Sequence, residues 1–185
     1  MTSPVEICNR ALTKLGDRPI LTLSDDNERA RACARLYEVS RDAVLRDHPW
    51  NFAVQRAELA ALEEKPVWGF KSQFELPTDC LRVLWVDGNY PWRIEGRRVL
   101  SNFEGALRIS YVRRVEDPNV FDSLFQEALA ARLALELAEA LTQSNSKRQA
   151  AGEGYQLALI RARSIDAQEN PAEEAECDPW IRARF

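Results

Sequence analysis

The run SLFQEALAARLALELAEALT, Ser123 to Thr142, decides what kind of fold this chain can make. It consists of strong helix formers throughout. Ser123 and Gln126 stand at capping-box spacing, so a helix is expected to begin there. The polar residues Glu127, Arg132, Glu136, Glu139 and Gln143 follow one another at steps of five, four, three and four and draw a single narrow stripe. Apart from Thr142, everything between them is Leu or Ala. A helix on the surface of a monomer exposes about half of its circumference, whereas this one is covered on most sides. Two readings stand open: a central helix buried by its own chain, or a helix shared between its own core and a neighbouring subunit.

Working outward, three more helices are announced. Ser3, Pro4 and Glu6 form an N-terminal signal with the S-x-x-E spacing, Val5, Cys8, Leu12 and Leu15 recur at helical spacing, and Gly16 ends the helix. A second helix is expected from Asp25 or Asp26 to about Asp47, with Cys33, Leu36, Tyr37, Ser40 and Val44 inward, and Pro49 stops it. Trp50 and Phe52 directly after it are expected to plug the helical core. The last helix follows Gln143-Ser144-Asn145-Ser146 and runs to about Gln168, with Tyr155, Ala158, Ala162 and Ile165 on one face. Gly152 and Gly154 near its start permit close helix contact.

Between residues 66 and 116 the period changes. Trp68, Phe70, Ser72, Phe74 and Leu76 alternate with Gly69, Lys71, Gln73 and Glu75, the mark of a half-buried strand. Leu81 to Val86 is a second strand, apolar on both faces. Trp92 to Glu95 and Arg97 to Ser101 form a hairpin about Glu95-Gly96, and Leu107, Ile109 and Tyr111 mark a final strand. The expected architecture is therefore mainly α: a single domain over residues 1–168, with helical parts 3–53 and 118–168 and a small antiparallel β insertion at 66–116. An extended tail would occupy 169–185.

Hydrophobic residues make up 45% of the 185-residue chain, enough for a substantial core. The net charge of -4 disfavours a protein that grips phosphates over a broad surface. No apolar run reaches the roughly 18–20 residues of a membrane span, and Met1-Thr2-Ser3-Pro4-Val5-Glu6 is unlike a signal peptide. The chain is thus expected in the cytoplasm, or outside the cell only within a larger particle. Cys8, Cys33, Cys80 and Cys177 are far apart and read as reduced thiols; no metal and no cofactor is expected. His48, the single histidine, sits at a helix end in Asp47-His48-Pro49-Trp50, where a packing or capping role fits. No G-x-S-x-G, P-loop or G-x-G-x-x-G occurs.

Two surfaces stand out as candidates. Arg93, Arg97, Arg98, Arg108, Arg113 and Arg114 put positive charge on the β region, either as a solvated sheet face or for contact with an acidic partner or passing DNA. Trp92, Arg93, Arg97 and Arg98 are the contact candidates there. In the tail, Trp180, Ile181, Arg182, Arg184 and Phe185 combine aromatic anchors with arginine, the chemistry of interface hot spots.

The sequence also carries an ordered set of blocks. These are Ile7-Cys8-Asn9-Arg10-Ala11-Leu12 with Leu15-Gly16, then Leu36-Tyr37 leading to Leu45-Arg46-Asp47-His48-Pro49-Trp50-Asn51-Phe52-Ala53, then Phe74 to Val83, Ile94 to Asn102, and Asp117 to Ala134. In these blocks the chain resembles the tail tubular protein A and related head-to-tail adaptors of short-tailed phages, from residue 3 to about 168. The resemblance implies a structural virion protein at the head-tail junction, made in the host cytoplasm, and not an enzyme. It implies a ring, typically a dodecamer, between portal protein and tail nozzle, with DNA only passing through the lumen. It also implies a C-terminal arm on the portal, carried here to Trp180–Phe185. The rival readings are a nucleic-acid-binding packaging factor such as a small terminase subunit, marked by salt-dependent DNA binding, and a small enzyme using His48 and Cys80.

Overall fold

The computed structural model describes residues 2–169. The tail anchors Trp180, Ile181, Arg182, Arg184 and Phe185, and Cys177, lie outside the described residues. The elements in chain order are α1 (Pro4–Lys14), α2 (Glu28–Asp47), β1 (Val54–Leu59), β2 (Ser72–Glu75), β3 (Cys80–Val86), β4 (Trp92–Glu95), β5 (Arg98–Ser101), β6 (Leu107–Arg113), α3 (Ser123–Thr142) and α4 (Asn145–Gln168).

The helix starts follow the physics of capping, with corrections to the residues named from sequence. Ser3 accepts from the Glu6 N–H at 3.1 Å, but the Glu6 carboxylate turns to Arg10 at 2.8 Å, so only half of the capping box is made. α2 is capped by Asn27, which accepts from the Ala30 N–H, and not by Asp25 or Asp26. Asp25 is engaged earlier in the chain: it accepts from the Thr22 hydroxyl and from the Leu21 and Thr22 N–H groups, which hold its carboxyl below the usual range. α3 is capped by Asp122, one residue before Ser123, while the Gln126 side chain donates to the Phe121 carbonyl.

The open question about α3 is answered by what packs on it. Phe125, Ala128, Leu129, Leu133, Ala134, Leu137 and Ala138 are buried, and α1, α2 and α4 of the same chain surround them. Trp50 and Phe52 do enter this core. Trp50 stacks edge-on against Phe125 at 5.1 Å, and Phe52 meets Phe121 and Phe125 at 5.8 and 5.0 Å. α4 is rotated from its expected face: Tyr155, Leu159, Ala162 and Asp166 are buried, and Ile165 faces outward.

The fold class departs from a mainly α bundle with a small insertion. The protein is α+β, 48% helical and 20% strand, with four helices and two three-stranded antiparallel sheets. The sheets run β1-β6-β3 and β2-β5-β4, and they share a hydrophobic core of their own that includes Leu59, Phe74, Val83, Val99, Ile109 and Tyr111. A β region with its own core is a second layer and not an appendage. It also begins at Val54, twelve residues before the expected 66, because β1 pairs with β6 from Val54 opposite Val112 to Leu59 opposite Leu107.

β3 explains its apolar residues on both faces. Val83 and Val86 join the β core, while Leu81 and Leu84 pack against the helical core, and the register shifts along the strand help it to serve both. The expected Trp68–Leu76 strand is shorter than its alternation suggests. Gly69, at φ +87, belongs to a loop, and only Ser72–Glu75 pairs. The outer edge of β2 is covered by a bridge from Ala61 to Phe74 and by the Leu62 N–H donating to the Gln73 carbonyl.

Candidate interaction surfaces

The His48 site is a clamp between elements. Its Nε2 lies 3.0 Å from Asp166 Oδ2, while Asp166 Oδ1 accepts from the Asn51 N–H at 3.0 Å and the Asp166 carbonyl accepts from Asn51 Nδ2 at 2.7 Å. The ring also stands edge-on to Trp50, whose indole N–H donates to the Val44 carbonyl. One turn earlier in α4, Arg163 pairs with Asp47 at 2.6 Å. The last turns of α4 are thereby fixed to the link between α2 and β1. Among the described residues no hydroxyl or thiol hydrogen-bonds His48, and no group of three or more His, Cys, Asp or Glu could hold a metal ion. Cys8, Cys33 and Cys80 are free and buried. The neighbouring Cys33 thiol together with burial pushes the Cys8 thiol up, and burial pushes Cys80 up.

The arginines of the β region are mostly committed to their own chain. Arg97 donates to the Pro77 carbonyl. Arg98 reaches Gln73 at 3.1 Å and Glu64 at 3.3 Å. Arg108 lies 3.7 Å from Glu58, and Arg114 pairs with Asp42 at 2.7 Å. Arg93 remains outward, 4.0 Å from Glu95 on the same strand. Of the four contact candidates, Trp92 and Arg93 therefore face solvent at the sheet edge, whereas Arg97 and Arg98 fasten the hairpin to the preceding loops.

Accessible apolar side chains occur on both layers. On the β layer, Val67 and Trp68 at the loop tip are 98% and 82% exposed, while Trp92 and Ile94, 40% and 41% exposed, lie on the opposite face of β4 from Arg93 and Glu95, which border that loop. A shallow depression of about 360 Å³ lies between this loop and the β4–β5 hairpin, with Phe70, Arg93 and Leu100 in its wall. On the helical layer, Leu157, Ile160 and Ile165 run along the outside of α4, the first two 71% and 62% exposed. Beside them, a Cβ at Gly152 would sit at an ordinary contact distance of 3.7 Å from Leu135 and one at Gly154 would meet nothing within 4 Å, so neither glycine is required for the approach of α4 to α3.

No family model matches the chain, and no curated protein does. No helix among the described residues is long and apolar enough to cross a membrane. Two of the exposed groups escape sequence reasoning. The α4 ridge is hidden because apolar spacing puts Ile165 on the inner face. The Val67-Trp68 tip is hidden because Trp68 falls into an alternating pattern, although Pro66 and Gly69 around it are a turn signal.

Proposed function

We propose that this protein is a structural subunit of a phage particle, a head-to-tail adaptor that joins copies of itself into a ring between portal protein and tail nozzle. DNA passes through the lumen of that ring without being read. The observation that carries the reading is the pair of unlike apolar surfaces on separate layers, Val67 and Trp68 at the loop tip on one and the α4 ridge on the other. A ring closes through head-to-tail contacts, and each contact needs two different faces on one subunit. The resemblance supplies the setting, and its blocks build the framework that holds these faces apart: the His48–Asn51 clamp, β3, and the N-terminal half of α3. The internal pairing of Arg97, Arg98, Arg108 and Arg114 favours this role over a DNA-gripping packaging factor, whose affinity needs cations free to displace counterions.

The test is to mix the full chain with portal rings from the same phage or prophage and measure the mass and symmetry of the product. A ring of many copies seated on the portal is expected. Leu157→Asp with Ile160→Asp should abolish it while leaving the thermal melt unchanged. Absence of the chain from purified virions would overturn the proposal.

A further inference from the structure

β4 is the open edge of the β2-β5-β4 sheet, and all four of its side chains are exposed. The hairpin closes through Gly96 and Arg97, with Glu95 opposite Arg98 and Gly96 at φ +58. Gly at the first central position suits a tight hairpin turn. The pair that flanks such a turn carries its hydrogen bond, and bonded and non-bonded pairs alternate along an antiparallel ladder. Trp92 and Ile94 therefore turn their backbone N–H and C=O away from β5, toward the free edge. Ile94 lies opposite the buried Val99, so Trp92 and Ile94 share the core face of the sheet, and Arg93 and Glu95 share the other.

We infer that this edge pairs antiparallel with β4 of a second copy, with Ile94 opposite the partner's Ile94. A two-fold axis perpendicular to the sheet keeps each face on its own side, so residues set opposite one another must share a face. That requirement allows pairs centred on a residue and forbids those centred between residues. Centring on Arg93 or on Glu95 sets like charges directly opposite, which opposes pairing. Centring on Trp92 engages half of the strand and leaves Arg93 opposite a proline. Centring on Ile94 sets Arg93 opposite the partner's Glu95 twice over and joins the two isoleucines. It also places Trp92 opposite the partner's Gly96, where a Cβ would find no atom within 4 Å and the indole has room. Charge and shape together select this one register, and they select a copy of the same strand as its occupant. The contact is isologous and so differs from the head-to-tail contact of a ring; neither depends on the other.

The experiment measures the mass of the full chain by light scattering over a wide concentration range. The expected mass rises toward twice 21.1 kDa. Arg93→Glu and Glu95→Arg each create two like-charge pairs across the axis, and each should weaken dimerisation by about ten-fold or more. Mixing the two single variants should restore it. The introduced carboxylate of one copy then meets the introduced guanidinium of the other, and the native Glu95 of the first meets the native Arg93 of the second. The double variant R93E/E95R should also dimerise. Unchanged melting temperatures confirm that the fold is intact. A wild-type chain that stays monomeric at every concentration overturns the inference. So do single variants that dimerise undiminished, or a mixture that fails to recover.

Discussion

Tyr37 shows how much one buried atom can matter. The residue is 4% exposed, and its hydroxyl finds no hydrogen-bond partner among the described residues. A buried hydroxyl without a partner costs about 1–3 kcal/mol. Tyr37→Phe should therefore raise stability by about 1 kcal/mol or more, read from denaturant melts. Burial also pushes the Tyr37 phenol up to about 12, from an ordinary value of 10. The folded state thus keeps its proton where the unfolded chain has lost it. That contribution is fully present below pH 10 and is lost as pH rises toward about 12. Tyr111, whose hydroxyl donates to Asp79 at 3.2 Å, is raised to about 12 by burial and the Asp79 charge and behaves in the same sense. Tyr37→Phe should weaken the alkaline loss of stability without removing it, as urea titrations at pH 9 and pH 11 would show. At this scale the sequence discloses positions better than partners. His48 is legible as a helix-end residue, but its engagement with Asp166, 118 residues later, has no local signal. Capping chemistry is legible in kind and misplaced by a residue or two, because neighbouring Asp, Asn and Ser side chains compete for the same N–H groups.

For whole elements, α3 gives the sharpest contrast. Leu133 is fully buried beneath the surrounding helices, whereas Leu135 is only half-buried beside Gly152. Leu133→Asp should cost more than about 3 kcal/mol, as an unpaired charge in a core does, while Leu135→Asp should cost about 1 kcal/mol. Equal losses in thermal melts would contradict this placement of the helix. At its start, Asp122→Ala removes the acceptor for two N–H groups and should cost about 1 kcal/mol. The helices are readable because their apolar period is long and repeated. β1 is not. Gln55, Arg56 and Glu58 carry polar side chains on an open sheet, and only Leu59 is buried, so no apolar alternation marks the strand. Its existence depends on β6, about fifty residues away, which already reads as a strand. α4 misleads for a different reason: its buried face includes Asp166, paired with His48 and Asn51, while Leu157, Ile160 and Ile165 point outward. Apolar periodicity cannot orient a helix whose exposed face is itself apolar.

For the whole molecule, two hydrophobic cores meet at the sheet formed by β1, β6 and β3. Val112 and Leu81 look toward the helices, and Ile109, Tyr111 and Val83 toward the other sheet. The helical core is the larger and includes α3, so hydrogen exchange should be slowest in α3 and much faster in the 63–71 loop, which has little buried surface to hold it. Removing residues 170–185 should leave this pattern and the melting temperature unchanged while weakening portal binding in the assembly assay. Undiminished binding would rule out a docking role for Trp180–Phe185. The β layer's separate core is the part of the architecture that a bundle-with-insertion reading could not supply, since it arises from the packing of two sheets and not from any local pattern.

The bridge from Ala61 to Phe74 has one more effect. It obstructs the far side of the smaller sheet at Gln73 and Phe74, leaving β4 as the margin that is open along its whole length. Zipping of molecules through this sheet is hindered beyond a single junction, because the joined ribbon would present that obstructed rim at both extremities. The molecule thereby carries a built-in check against growing into a fibre through that sheet.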